Sequence, residues 1–221
     1  MNAEKTFTPA LGYAFLTPLY DFAIAAVTRE NLWRDRLVAT INPTATDRIL
    51  DVGCGTGSLA IRLKLAAPGA EVIGIDPDPE VIAIARKKSA RAGVGIDWRN
   101  GFLTSEICKD IGTVSKIVSS LVFHQTALDE KRNILAAMRT LLQPGGTLTI
   151  ADYGQQRTRL MRFLFRRTVQ TIDGIADTQP NADGILPTLI EASGFRDISE
   201  LEVVPTATGS ISIYRATAVT S

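Results

Sequence analysis

The sequence predicts an α/β fold in which a parallel sheet is covered by helices on both faces and finished by an antiparallel hairpin. Three observations carry this. Short apolar runs alternate with helical patterns through the middle of the chain. A glycine-rich turn, "GCGTG" at residues 53–57, joins the first apolar run to the first helical one. The last part of the chain holds two strand-like runs with no helix between them. Strand–helix alternation implies right-handed crossovers and a sheet buried on both sides, whereas two strands joined by a turn pair antiparallel most easily.

In order, "RILDVG" reads as a buried strand and "SLAIRLKLAA" as the helix after it. "AEVIGID" is the second strand, and "DPEVIAIARKKSARAG" the second helix, with Asp78 as N-cap and Pro79 at its first position. "GIDWRNG" and "SKIVSSLV" are strands. "LDEKRNILAAMRTLL" is a strong helix, because Ile134, Leu135, Met138, Leu141 and Leu142 share one face. A "QPGG" turn leads into the fifth strand, "GGTLTIADYG". "GILPTLIEASGF" is a short helix stopped by Gly194, and "RDISELEVV" with "GSISIYRATAV" forms the terminal hairpin.

Two segments lie outside this core, which spans residues 47–221. Residues 1–46 read as a helical cap rich in aromatics, including Tyr13, Phe15, Tyr20, Phe22 and Trp33. Residues 153–183 form an insert ahead of the last helix. Within it "RTRLMRFLFRRTVQTI" is a basic amphipathic helix: Arg159, Arg162 and Arg166 recur on one face, and Met161, Phe165, Thr168 and Ile172 on another. Three readings fit it: a lid packed on the active site, contact with an anionic membrane surface, and contact with nucleic acid.

Composition narrows the class. The chain has 221 residues, 45% hydrophobic and 21% charged, with a formal net charge of +1. That balance gives no overall field for nucleic acid, and no aromatics are interleaved for base stacking. Cys54 and Cys108, with His124 the single histidine, make no disulfide framework and no metal spacing. Reduced thiols in a cytoplasmic protein are the expectation. The start of the chain lacks a signal-peptide pattern, and no apolar run is long enough to span a bilayer.

The site is read from "ILDVGCGTGSLA". Strand, glycine turn and helix are the layout of a nucleotide-binding loop, whose small residues let backbone N–H groups point at a ligand. A second strand ends in Asp76, placed to accept ribose hydroxyls. A dinucleotide fingerprint fails, because Ser58 stands where its third glycine belongs, and no P-loop sequence is present. The acid Asp51, two residues before Gly53, would repel pyrophosphate and suits a cationic ligand.

These motifs, in this order, resemble the class I S-adenosylmethionine-dependent methyltransferases. Within them the chain is similar to the ubiquinone/menaquinone-biosynthesis-like group. "ILDVGCGTG" resembles their first motif, Asp76 their ribose-binding acid, "NGFL" the segment at the adenine, and "IVSSLVFHQ" and "LLQPGGTLTIADYG" the motifs around strands four and five. The endings "LPTLIEASGF" and "TATGSISIYRA" agree, so the resemblance covers residues 13–217. It implies a Rossmann-like seven-stranded sheet of order 3-2-1-4-5-7-6, with strand seven antiparallel. The implied cofactor is S-adenosylmethionine. Asp51, Gly53, Gly55 and Gly57 would meet its methionine part, with Ser119 and Leu121 near the amino acid end. Asp76 would take the ribose, Pro77 would flank the adenine, and Gly101 and Phe102 would meet its edge. Many relatives carry an Asp near Asn100.

The implied activity is methyl transfer to a small, lipophilic acceptor, with a quinone-like ring and a phospholipid amine both fitting. The alternative is a protein of the same fold that binds the cofactor for a non-methylating reaction or for regulation. His124 reads as a wall or as a general base, Asp152 and Tyr153 as the next candidates for that base, with Asp152 equally a turn cap, and Tyr20 as a group near the methyl donor or as core. Trp33 and Arg34 can help hold the cofactor carboxylate, and "ARKKSAR" reads as a solvated helix face.

Overall fold

A computed structural model describes residues 30–219. Its centre is a seven-stranded sheet of order β3-β2-β1-β4-β5-β7-β6, the order that the family resemblance implies. The strands are β1 (Arg48–Val52), β2 (Glu71–Asp76), β3 (Asp97–Asn100), β4 (Val114–Ser120), β5 (Leu142–Tyr153), β6 (Phe195–Thr206) and β7 (Gly209–Ala218). The first five pair in parallel. β7 is antiparallel to both β5 and β6.

Period-two alternation divides the core between the two faces. Ile49 of β1 and Val72 of β2 pack with α1 (Glu30–Ile41), α2 (Ser58–Ala66) and α3 (Pro79–Arg91). Leu50, Ile73 and Ile75 pack on the opposite face, with α4 (Ser105–Ile111), α5 (Leu128–Leu141) and α9 (Leu186–Ala192). Leu135, Met138 and Leu141 of α5 are buried there, each worth about 1.5–3 kcal/mol. α3 starts as its sequence predicts: the Asp78 carboxylate accepts from the Glu80 amide at 2.8 Å, and Pro79 follows.

Three differences from the sequence reading concern local structure. α4 was not among the predicted elements; Thr104 caps it, accepting from the Ile107 amide, and Gly112 ends it. "QPGG" is not a separate turn between elements but a bulge within β5: Val114 pairs with Leu142 and Lys116 with Thr147. The basic helix is not continuous. It divides into α6 (Arg159–Arg167) and α7 (Val169–Asp173) at Thr168, whose φ/ψ of −118°/−81° is not helical; α8 (Ile175–Ala182) follows. Ile172, predicted to share a buried face with Phe165, is 65% exposed. No helix among the described residues is long and apolar enough to cross a membrane.

The order fixes where a ligand sits. β1 lies between β2 and β4, so the crossovers leave it on opposite faces and open a crevice beyond the carboxyl ends of these strands. Val52, Asp76, Asn100 and Ser120 end their strands at that edge.

Candidate functional site

The glycine loop leaves β1 at the crevice. Gly53, Gly55 and Gly57 have φ of 69°, 51° and 78°, a region that glycine enters at little cost. The three do different things. A Cβ on Gly53 would lie 2.2 Å from Val122 Cγ2, and one on Gly57 would lie 2.4 Å from Trp98 Cη2. Both are packing glycines. A Cβ on Gly55 would meet nothing within 4 Å among the described residues, so of the three glycines Gly55 is the one that faces open space.

The loop amides do not point outward as a phosphate cradle requires. The Gly53 and Cys54 amides donate to the Ile75 carbonyl, Gly57 donates to the Cys54 carbonyl, and Gly55 donates to Asp76 Oδ2. These four amides are used inside the protein, which removes them as anion donors. The "ARKKSAR" helix face is likewise more than solvated surface, since Lys88 Nζ reaches Thr56 Oγ1 at 3.1 Å and Ser58 Oγ at 2.7 Å.

Asp51 lies one strand residue before the loop and is 1% exposed. Neither carboxyl oxygen has a hydrogen-bond partner among the described residues. Burial pushes its pKa up to about 7; nearby Arg34 and the Ala60 amide at the start of α2 oppose this, and Asp76 adds to it. A buried, unpartnered carboxylate is a costly arrangement that a cationic ligand relieves. Arg34 crosses from α1 to the same edge. Its guanidinium lies 4.5 Å from the Trp33 ring centroid, pairs with Glu30, and comes within 3.4 Å of Ser120 Oγ.

Asp76 ends β2 with one oxygen on the Gly55 amide at 2.9 Å and the other on the Asp78 amide at 3.0 Å. Its pKa is raised, chiefly by burial, against the pull of these two amides. Asn100 donates its side-chain amide to the carbonyls of Asp76 and Pro77, both at 3.0 Å. Gly101 donates to the Asp76 carbonyl, which brings Gly101 and the half-exposed Phe102 beside Asp76–Pro77. Ser119 is fully buried and its hydroxyl donates to the Val52 carbonyl at 2.8 Å, tying β4 to β1. Leu121 turns the chain out of β4 with φ of 57°.

Beyond β4 and β5 lies a buried charged cluster. Asp152, fully buried, accepts from the amides of Val122, Phe123, His124 and Tyr153. It therefore caps the short 3₁₀ turn Phe123–Gln125, the turn-cap reading of the sequence. His124 Nδ1 stands 2.8 Å from Asp152 Oδ1, and Nε2 stands 3.5 Å from Asp173 Oδ2 of α7. Burial alone would lower the His124 pKa; the two carboxylates outweigh it and raise the pKa to about 9. The imidazole is thus a cation at neutral pH, with both nitrogens engaged. The Tyr153 ring meets it edge-on at 4.9 Å, and Phe165 of α6 packs on Tyr153 at 5.2 Å. The Lys131 ammonium donates to the carbonyls of Thr126 and Asp177, holding the insert against the same turn.

The predicted site residues thus converge from β1, β2, β3 and β4 on one edge. Tyr20 lies outside the described residues. Asp173, Lys131, Val122 and Trp98 were absent from the sequence reading; no local spacing links them to the loop or to His124. No group of three His, Cys, Asp or Glu able to hold a metal occurs among the described residues.

Residues 49–146 match a family model described as a methyltransferase domain. A demethylmenaquinone methyltransferase of Thermus thermophilus is 30% identical over 81% of this chain and 83% of its own length. A Deinococcus radiodurans protein of the same name is 27% identical over 92% and 85%. Among solved structures, the magnesium protoporphyrin IX methyltransferase of Synechocystis PCC 6803, with bound S-adenosylmethionine, is 17% identical. It aligns with a TM-score of 0.64 over 95% of this chain and 88% of its own, a likeness of fold. The orphaned Asp51 carboxylate and the open space at Gly55 fit the cationic end of that cofactor. With this fold, these motifs and these relatives, the chain belongs to the class I S-adenosylmethionine-dependent methyltransferases, in their ubiquinone/menaquinone-biosynthesis-like group.

Proposed function

We propose that the methyl acceptor is a small lipophilic molecule bearing a quinone-like ring. The observation that carries this is the likeness to the two demethylmenaquinone methyltransferases, each over more than four-fifths of both chains. A phospholipid amine is the second lipophilic acceptor that the sequence reading admits.

Bound S-adenosylmethionine supplies a methyl group that its sulfonium already makes electrophilic. The chain's task is to hold and align. Asp51 takes the ammonium, Arg34 reaches for the carboxylate, and the opening at Gly55 leaves room for the methionine part. Asp76 takes the ribose hydroxyls, while Pro77, Gly101 and Phe102 bound the adenine. Alignment at near-attack distance is worth roughly 7–11 kcal/mol, enough to carry most of the rate. His124, already protonated and flanked by Asp152 and Asp173, acts as a fixed wall and not as a base at neutral pH.

Two results are expected. Incubating the protein with methyl-labelled donor and a fractionated cell extract puts the label into organic-soluble, ring-bearing products. Label confined to water-soluble or macromolecular fractions would refute the acceptor class. Cofactor binding also tightens with pH. The ionised Asp51 is the form that receives a cation, and its pKa without one is about 7. Affinity therefore rises about fivefold between pH 6 and pH 7 and about twofold more above pH 7 before it levels, with proton release below the midpoint. Calorimetry measures this, and Asp51→Asn flattens the profile; an equally steep profile in that variant would remove Asp51 from the ammonium site.

A further inference from the structure

We propose that the outer face of α6 is a docking surface for an anionic lipid bilayer. The proposal goes beyond the acceptor reading and does not depend on it.

The charge is concentrated. The chain as a whole carries +1, yet Arg157, Arg159, Arg162, Arg166 and Arg167 fall within eleven residues, and no acid occurs between Asp152 and Asp173. Of these five arginines only Arg157 makes an ion pair among the described residues, with Glu200. The other four belong to α6 and are exposed.

The apolar side chains of α6 divide in two. Phe165 points inward, is 1% exposed, and packs on Tyr153. Leu160 and Phe163, one turn apart, are 60% and 55% exposed. Ile172 and Ile175, both 65% exposed, continue apolar surface into α7 and α8. Arg167 lies 5.6 Å from the Phe163 ring centroid, so cation and apolar tip share one surface.

This pattern suits a lipid headgroup layer. Apolar tips insert shallowly, arginine stems lie along the acyl boundary, and guanidinium heads meet phosphates. A protein partner fits less well, because the core of a protein interface is depleted of charge, and here Leu160 and Phe163 sit among the arginines of α6. Nucleic acid fits less well too, because four exposed aliphatic and aromatic tips have no role at a phosphate backbone and offer one ring for stacking. The inner face of the same insert reaches the His124–Tyr153 cluster through Phe165 and Asp173. A bilayer on the outer face therefore lies against the insert that covers the site.

The test is co-sedimentation of the full chain with vesicles, without acceptor. Vesicles of phosphatidylcholine with phosphatidylglycerol should bind it, pure phosphatidylcholine should not, and added salt should weaken the binding. Arg159→Glu with Arg166→Glu should lower the partition coefficient at least about 25-fold, on roughly fivefold per arginine removed. Leu160→Ser with Phe163→Ser should lower it about tenfold. Unchanged melting and cofactor binding show that both variants fold. The proposal is overturned if the wild type binds neither vesicle, if binding is insensitive to both double variants, or if the chain prefers RNA to anionic vesicles at equal salt.

Discussion

Asp76→Ala is expected to weaken binding of S-adenosylmethionine and of its demethylated product at least about 100-fold. A carboxylate has about four acceptor positions, and in this structure the Gly55 and Asp78 amides occupy one on each oxygen. The positions left free suit the two ribose hydroxyls that the proposed role gives to Asp76. Each charge-assisted bond is worth about 1.5–3 kcal/mol, so losing two costs about 3 kcal/mol or more, or two decades of affinity. The same substitution releases Gly55, the residue at which the loop opens, so the methionine part also loses a braced wall. Asp76→Asn separates these contributions: its single oxygen can keep one amide, but its NH₂ opposes the other and cannot accept from a hydroxyl. Its affinity should therefore lie near that of the alanine variant while its loop stays better ordered. Gly55 and Asp76 are only part-buried, so water can replace the carboxylate at the Gly55 amide, whereas Asp78 is buried; with one buried amide left without its acceptor, the fold should lose about 2 kcal/mol. Calorimetry gives the affinity and thermal melting the fold. A folded Asp76→Ala protein with near-normal affinity would refute the ribose role.

The parts of this molecule that were legible in the sequence are those encoded locally. The short apolar runs of β1, β2 and β4, the Asp78–Pro79 start of α3 and the long apolar face of α5 each lie within one short window. The loop and Asp76 were legible together because one βαβ unit holds them at a fixed separation. α4 escaped because it has seven residues and one fully buried apolar side chain, Ile111. Thr104 and Gly112, its cap and its stop, were the signals available. The break at Thr168 escaped because the periodicity of "RTRLMRFLFRRTVQTI" continues across it, while the Thr168 hydroxyl bonds the Leu164 carbonyl at 2.7 Å and the backbone leaves the helix. The work of the glycines was legible in place but not in kind. Gly53 answers to Val122 and Gly57 to Trp98, and those neighbours come from the turn after β4 and from β3. The same holds at His124. Its carboxylates lie 28 and 49 residues downstream, on β5 and α7, and only the folded sheet brings them together.

That cluster makes the second large prediction, which concerns stability against pH. The folded His124 pKa, about 9, lies above its ordinary 6.5. A histidine with a raised folded pKa contributes stability that is fully present below the unfolded value and is lost as pH rises through the folded one. The window is therefore roughly pH 6.5 to 9, and the amount lost across it is about 3 kcal/mol. In a domain of this size that is a fall in Tm of about 6–12 °C. The groups facing the imidazole are Asp152, Asp173 and Tyr153; Lys131, which reaches from α5 to the end of the same turn, has its pKa lowered by burial and contributes a slope of opposite sign. His124→Gln removes the His124 titration and leaves the rest, so the difference between its melting profile and that of the wild type isolates the histidine. Asp152→Ala removes more. Four backbone amides lose their acceptor and a buried cation loses its nearest partner. Breaking a buried pair from one side costs about 3–5 kcal/mol, and most of that should appear already at pH 6. Asp152→Asn restores the volume without the charge. It should recover part of the loss at pH 6 while keeping a shallower slope, because Asp173 alone then holds the imidazolium. Thermal melts of the wild type and the three variants from pH 6 to 10 check this. A wild-type Tm that is flat across the window, or a slope that survives in His124→Gln, would mean that the histidine is not held as a cation in the fold.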